Sequence, residues 1–176
     1  MAAKPYSVIF CRNCPQPGPA AIRYFVLTPH HLIKETRLIN ESQAPQPPIV
    51  MLVDDNDTDN LISRRVLELS GFAHKVLVQN SGLAALAYLK AHKTHTNLLP
   101  DIIFLDINMP IIDGFGFLGE LEKIAPMLCK EVKVIILSSS DSVQDMRRIA
   151  GNARVLRFVT KPLSPNLLKE LQGVGA

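Results

Sequence analysis

Four apolar runs, each ending on a polar or charged group, leave few folds open to this chain. Ile49-Val50-Met51-Leu52-Val53 runs into Asp54-Asp55, and Ile102-Ile103-Phe104-Leu105 into Asp106. Val134-Ile135-Ile136-Leu137 ends on Ser138, and Val155-Leu156-Arg157-Phe158-Val159-Thr160 on Lys161-Pro162. A buried strand that ends on a polar group exposes that group at the rim of a sheet. Three acids, a hydroxyl and an amine therefore follow four separate strands.

Between these runs the pattern changes to a helical period. Asp57 or Thr58 can cap a first helix with Leu61, Ile62, Val66 and Leu69 as its apolar face, stopped by Ser70-Gly71. Phe72 to Val78 reads as a more polar strand, and Ser81 opens a helix carrying Leu83, Leu86, Ala87 and Leu89. Asp113 starts a third helix with Phe115, Leu118 and Leu121 inward. Asp141 starts a fourth, with Val143 and Met146 inward and Gly151-Asn152 at its end. Ser164-Pro165 begins a fifth, with Leu167, Leu168 and Leu171 apolar. Strict alternation of five strands and five helices predicts an α/β fold whose parallel sheet is covered on both faces. Loops beyond the carboxyl ends of such strands form the binding crevice, which gathers Asp54, Asp55, Asp106, Ser138 and Lys161 on one rim.

The chain has 176 residues, a length that suits one core, and no apolar run approaches the ~20 residues that span a bilayer. No secretory core is present either, so the expectation is a cytoplasmic protein without membrane insertion. Residues 1–48 hold five basic and two acidic side chains, which accounts for the whole net charge of +3. The balanced remainder gives no basic stripe, so direct nucleic-acid binding is not expected. Eight of the 13 prolines also fall within residues 1–48, which are read as a poorly ordered Pro-rich N-terminal arm or as a segment the cell does not translate. Cys11-Arg12-Asn13-Cys14 is half of a zinc-type ligand set, and no second pair follows. Three cysteines in a reducing compartment predict no disulfide.

Clustered carboxylates repel one another, which raises the pKa of at least one unless a cation is near. An all-oxygen set at an open crevice favours a hard ion, and magnesium is commonly held by one or two carboxylates, water and a phosphate. A carboxylate can also attack phosphorus to form an acyl phosphate, with a metal ion and lysine offsetting charge on the equatorial oxygens. Asp106, central by strand order, is best placed to be that nucleophile.

Asp54-Asp55, the segment Asp106-Ile107-Asn108-Met109-Pro110-Ile111-Ile112-Asp113-Gly114, Ser138 and Lys161-Pro162 together resemble the receiver domain of two-component response regulators over residues 49 to about 172. The resemblance implies a flavodoxin-like, doubly wound five-stranded parallel sheet of order 2-1-3-4-5, with the receiver domain occupying residues 49–176. It implies Asp106 as phosphoacceptor, Asp55 as direct Mg²⁺ ligand, Asp54 assisting through water, and the Asn108 backbone carbonyl completing the shell. Ser138 matches the hydroxyl that bonds the phosphoryl group, Lys161 the lysine that pairs with it, and Phe158 the aromatic switch. A cis bond at Pro162 would aim Lys161 into the crevice. The implied partner is a sensor histidine kinase or histidine phosphotransfer protein upstream, with a downstream protein target. A homodimer on phosphorylation is among the states it allows.

Serine instead of the commoner threonine at 138 frees the hydroxyl rotamer, because serine lacks β-branching. The segment Ala91 to Pro100 is longer than in many receivers, and Gly151-Asn152-Ala153-Arg154 also departs from the usual turn. So few residues follow the fifth helix that the expectation is a stand-alone regulator, catalysing only its own phosphorylation and dephosphorylation. Two alternatives stay open: an aspartyl phosphatase, which would want an acid where Asn108 sits, and a degenerate receiver acting as a phosphorylation-independent docking module. A dinucleotide-binding fold lacks its glycine loop, since Asp54-Asp55-Asn56-Asp57 occupies the first turn.

Overall fold

Each apolar run becomes a parallel strand of one sheet. The computed structural model describes residues 46–139 and 143–174, with the backbone alone for Val143 and residues 172–174. Expectations for residues 1–45, including the zinc-type cysteines, and for Asp141 lie outside them. The strands β1 (Ile49–Val53), β2 (Lys75–Gln79), β3 (Ile102–Asp106), β4 (Lys133–Ser138) and β5 (Val155–Thr160) pair in the order β2-β1-β3-β4-β5. This is the expected order. The helices are α1 (Asp57–Ser70), α2 (Gly82–Ala91), α3 (Gly114–Ile124), α4 (Val143–Ile149) and α5 (Pro165–Val174). No described helix is long and apolar enough to cross a membrane.

Successive residues of a strand point to opposite faces, so a strand buried on both sides must be apolar throughout. Met51, Val53, Ile103, Leu105, Val134 and Ile136 meet α2, α3 and Ile149 of α4. Val50, Leu52, Phe104, Ile135 and Leu137 meet Leu67 of α1, Leu168 of α5 and Leu163 just before α5. Phe72 packs edge-on against Phe104, with ring centroids 6.2 Å apart.

Several local expectations need correction. Asn56 rather than Asp57 or Thr58 caps α1, its side chain accepting from the amides of Thr58 and Asp59. The buried face of α1 is Asn60, Ser63 and Leu67, while Leu61, Ile62 and Leu69 are exposed. Apolar character alone misplaced that face, because two polar side chains lie on it and one of them, Asn60, is bonded to the Asp54 carbonyl. On α2, Ala85 joins Leu86 and Leu89 inside, and Leu83 and Ala87 face out. β2 begins at Lys75, with Phe72 buried in the preceding turn. Among the described side chains of α4 Ile149 is buried and Met146 is exposed, while the expectation for the Val143 side chain lies outside them. Caps at Ser81 and Asp113 and the left-handed Gly71 stand as expected.

Candidate functional site

The turn after β1 is folded around Asp54. Its Oδ1 accepts from the Asn56 amide at 2.9 Å, and its carbonyl accepts from Asn60 Nδ2 at 2.8 Å. These bonds join β1 to the first turn of α1 and leave Asp54 only 4% exposed. The next carboxylate, Asp55, projects into solvent. Asn60 escaped the sequence reading. Its signal was present, however, since Asn60 and Ser63 lie seven and four residues before the buried Leu67 and so share its face.

Asp106 closes β3 and is equally buried. The chain then passes through Asn108, which is exposed, and returns so tightly that the Gly114 amide donates to the Ile107 carbonyl at 2.9 Å. A Cβ on Gly114 would lie 2.9 Å from the Asp106 carbonyl oxygen and 2.8 Å from Ile107 Cα. Glycine is therefore required here by space rather than by dihedral angle. Between them, the Ile112 amide donates to the Pro110 carbonyl across Ile111, whose φ of 70° makes a γ-turn that β-branched residues rarely accept.

From the other side, Lys161 follows β5, its backbone amide donating to the Ser138 carbonyl at 2.8 Å and its bond to Pro162 cis. The ammonium lies 2.6 Å from Asp54 Oδ2, 3.0 Å from Asp59 Oδ2 and 3.4 Å from Asp106 Oδ1. Ser138 is fully buried at the end of β4. Phe158 is half-buried on β5, opposite Ile136 and against the α2–α3 face of the core. Every rim group read from sequence thus reaches one end of the sheet. Asp59 does so too, unexpectedly.

Carboxylate oxygens of Asp54, Asp55 and Asp106 all lie within 4.8 Å of one another. Burial raises the Asp106 carboxyl above its ordinary value of 3.8; the Lys161 charge and an Asn108 backbone hydrogen bond oppose the rise, while the Asp54 charge adds to it. Burial works against the Lys161 ammonium as well, but hydrogen bonds to Asp54 and Asp59 and the Asp106 charge outweigh it and raise its pKa. Asp106 Oδ1 is buried without a hydrogen-bond partner. A buried carboxylate oxygen facing two further acids and lacking a donor fits a hard cation, which would satisfy it and offset the repulsion. Beside Lys161 opens a cleft of about 280 Å³ lined by Asp59, Ile62, Ser63, Ser139, Lys161 and Pro162.

Comparison with known proteins agrees with this arrangement. The family model of the response regulator receiver domain matches residues 50–172. The probable methanogenesis regulatory protein FilR2 of Methanothrix harundinacea is 32% identical over 72% of this chain and 80% of its own length. A two-component response regulator from Cytophaga hutchinsonii is 29% identical, with a TM-score of 0.65 over 72% of this chain and 94% of that one. The Mn²⁺-bound form of response regulator Rcp1 is also 29% identical, with a TM-score of 0.55 over 73% and 91% of the two chains. With its five-stranded sheet in the order 2-1-3-4-5 and its acids gathered at the carboxyl rim, the chain belongs to the response regulator receiver domain family.

Proposed function

We propose that this receiver accepts a phosphoryl group on Asp106 from a histidine kinase or histidine phosphotransfer protein, in a reaction that requires Mg²⁺. The observation that carries the reading is the approach of Asp54, Asp55 and Lys161, from the ends of β1 and β5, to the Asp106 carboxylate at the end of β3, whose buried Oδ1 has no hydrogen-bond donor. Asp55 and Asp106 would hold the ion directly, Asp54 through water, and the Asn108 carbonyl would complete its shell. The ion, when bound, offsets charge on the carboxylates and on the transferring phosphoryl oxygens.

An Asp106 carboxylate oxygen attacks phosphorus in line. The P–N bond to the donor imidazole breaks, its electron pair leaves on the ring nitrogen, and that nitrogen takes up a proton. Lys161 donates to a phosphoryl oxygen once one is present. Hydrolysis undoes the transfer: water attacks phosphorus and gives up a proton, the P–O bond to Asp106 breaks with its electron pair returning to the carboxylate, and inorganic phosphate departs. Ser138 turns its hydroxyl to the phosphoryl group, and Phe158 follows inward, which biases the surface of α4, β5 and α5 toward a second arrangement read by a downstream protein.

Incubation with Mg²⁺ and a small acyl-phosphate donor, followed by intact mass, tests this directly. One base-labile phosphoryl group is expected on the wild-type chain and none on Asp106→Asn. Persistence of the group in Asp106→Asn rejects Asp106, and failure of the wild-type chain to bind Mg²⁺ would favour a phosphorylation-independent docking module.

A further inference from the structure

Lys161 carries three N–H protons, and the structure shows where they are committed. Asp54 takes the shortest contact at 2.6 Å and Asp59 the next at 3.0 Å. Asp106 Oδ1, at 3.4 Å, is left without a hydrogen bond. The ammonium is therefore held between β1 and the first turn of α1, slightly away from the acid it faces. Asp59 is not part of the three-acid cluster. It lies instead on the wall of the cleft beside Lys161.

Resting on the phosphoacceptor reading of Asp106, we infer that Asp59 is a positioning residue that competes with the phosphoryl group for the Lys161 ammonium. The third Lys161 proton faces Asp106, but the two existing hydrogen bonds hold the ammonium 3.4 Å from Asp106 Oδ1. To draw it onto a phosphoryl group, one of those two contacts must lengthen. The Asp54 side chain is 6% exposed and would be left in a low-dielectric site, whereas that of Asp59 is 36% exposed and regains water cheaply. Asp59 is the contact that yields. Its carboxylate sets how much of the Lys161 interaction is spent before phosphoryl binding begins.

Beryllofluoride with Mg²⁺ serves as a phosphoryl mimic, its binding followed by fluorine NMR and calorimetry. Asp59→Asn should bind it roughly two- to fivefold more tightly than wild type, a range set by a partly exposed ion pair. Asp59→Glu, which keeps the charge and the reach, should restore wild-type affinity. The gain in Asp59→Asn should persist at high salt, since a hydrogen bond to a buried ammonium is poorly screened whereas general repulsion of an anion is not. Unchanged or weaker binding in Asp59→Asn, equal tightening in Asp59→Glu, or loss of the gain at high salt overturns the competition. A wild-type chain that takes up no mimic, or an Asp106→Asn chain that still does, refutes the underlying assignment of Asp106 instead.

Discussion

Along β1 and β3 every residue after the first is buried, whereas β5 leaves Leu156, Arg157 and Thr160 exposed, and α4 buries Ile149 alone among its described side chains. The polar groups differ in the same way. On the β1–β3 side Asp54 is fixed by its own turn, by Asn60 and by Lys161, and Gly114 holds the backbone after Asp106 without room for a methyl group. On the other side the β4–β5 pairing slips between Val134 and Ile135, so Leu156 bulges outward at 53% exposure. Besides Ile149 in the core, α4 meets α3 through the Arg148 guanidinium, 3.6 Å over the Phe115 ring. A nucleophile needs fixed geometry, and a segment that responds to it must move at small cost. If Asp106 is the phosphoacceptor as proposed, the difference in packing suits the two halves of the rim to those two tasks.

Core truncation should separate the halves most sharply. Phe104→Ala, at a fully buried site on β3, is expected to cost ~3–5 kcal/mol in urea unfolding, and Leu156→Ala on the bulge no more than ~0.5 kcal/mol. Equal costs would erase the distinction. Gly114→Ala should follow, at ~1–3 kcal/mol, because its Cβ meets backbone atoms on β3 and not a flexible side chain. The same substitution displaces the Asp106 backbone and should slow phosphorylation more than its stability loss accounts for. Arg148→Ala removes an exposed cation–π contact worth ~0.5–1 kcal/mol. Its effect should appear as faster amide exchange in α4 with β1 and β3 unchanged.

Electrostatics sharpens the comparison by sign. Burial raises the Asp106 carboxyl above its ordinary value, so the folded chain binds that proton more tightly than the unfolded one. The contribution is favourable at acid pH and is lost as pH rises through the folded value, leaving a penalty for the ionised acid. Without divalent ions, Asp106→Asn should therefore melt above wild type at neutral pH, and the gap should close below the unfolded carboxylate value of ~3.9. Adding Mg²⁺ should stabilise wild type and not Asp106→Asn.

Strand identity and the rim were legible because both follow from hydrophobic runs and from what ends them. Asp54, Asp106, Ser138 and Lys161 all announced themselves by position after a strand. Helix faces were less legible where polar residues turn inward: Asn60 and Ser63 occupy the buried stripe of α1, and the apolar Leu61 and Leu69 drew attention to the wrong side. Asp59 could not be read at all, since one helical turn from Asp55 it looks like any acid near a helix N-terminus. Its meaning comes from Lys161, which lies 102 residues away and meets it through the sheet order.

Hydrogen exchange with and without Mg²⁺ and beryllofluoride tests the division of labour most directly. The expected result is a change in protection across α4, residues 143–149, and β5, residues 155–160, while the strands β1 and β3 remain as slow as before. Rates that change first and most in β1 and β3, with α4 and β5 unmoved, would contradict it.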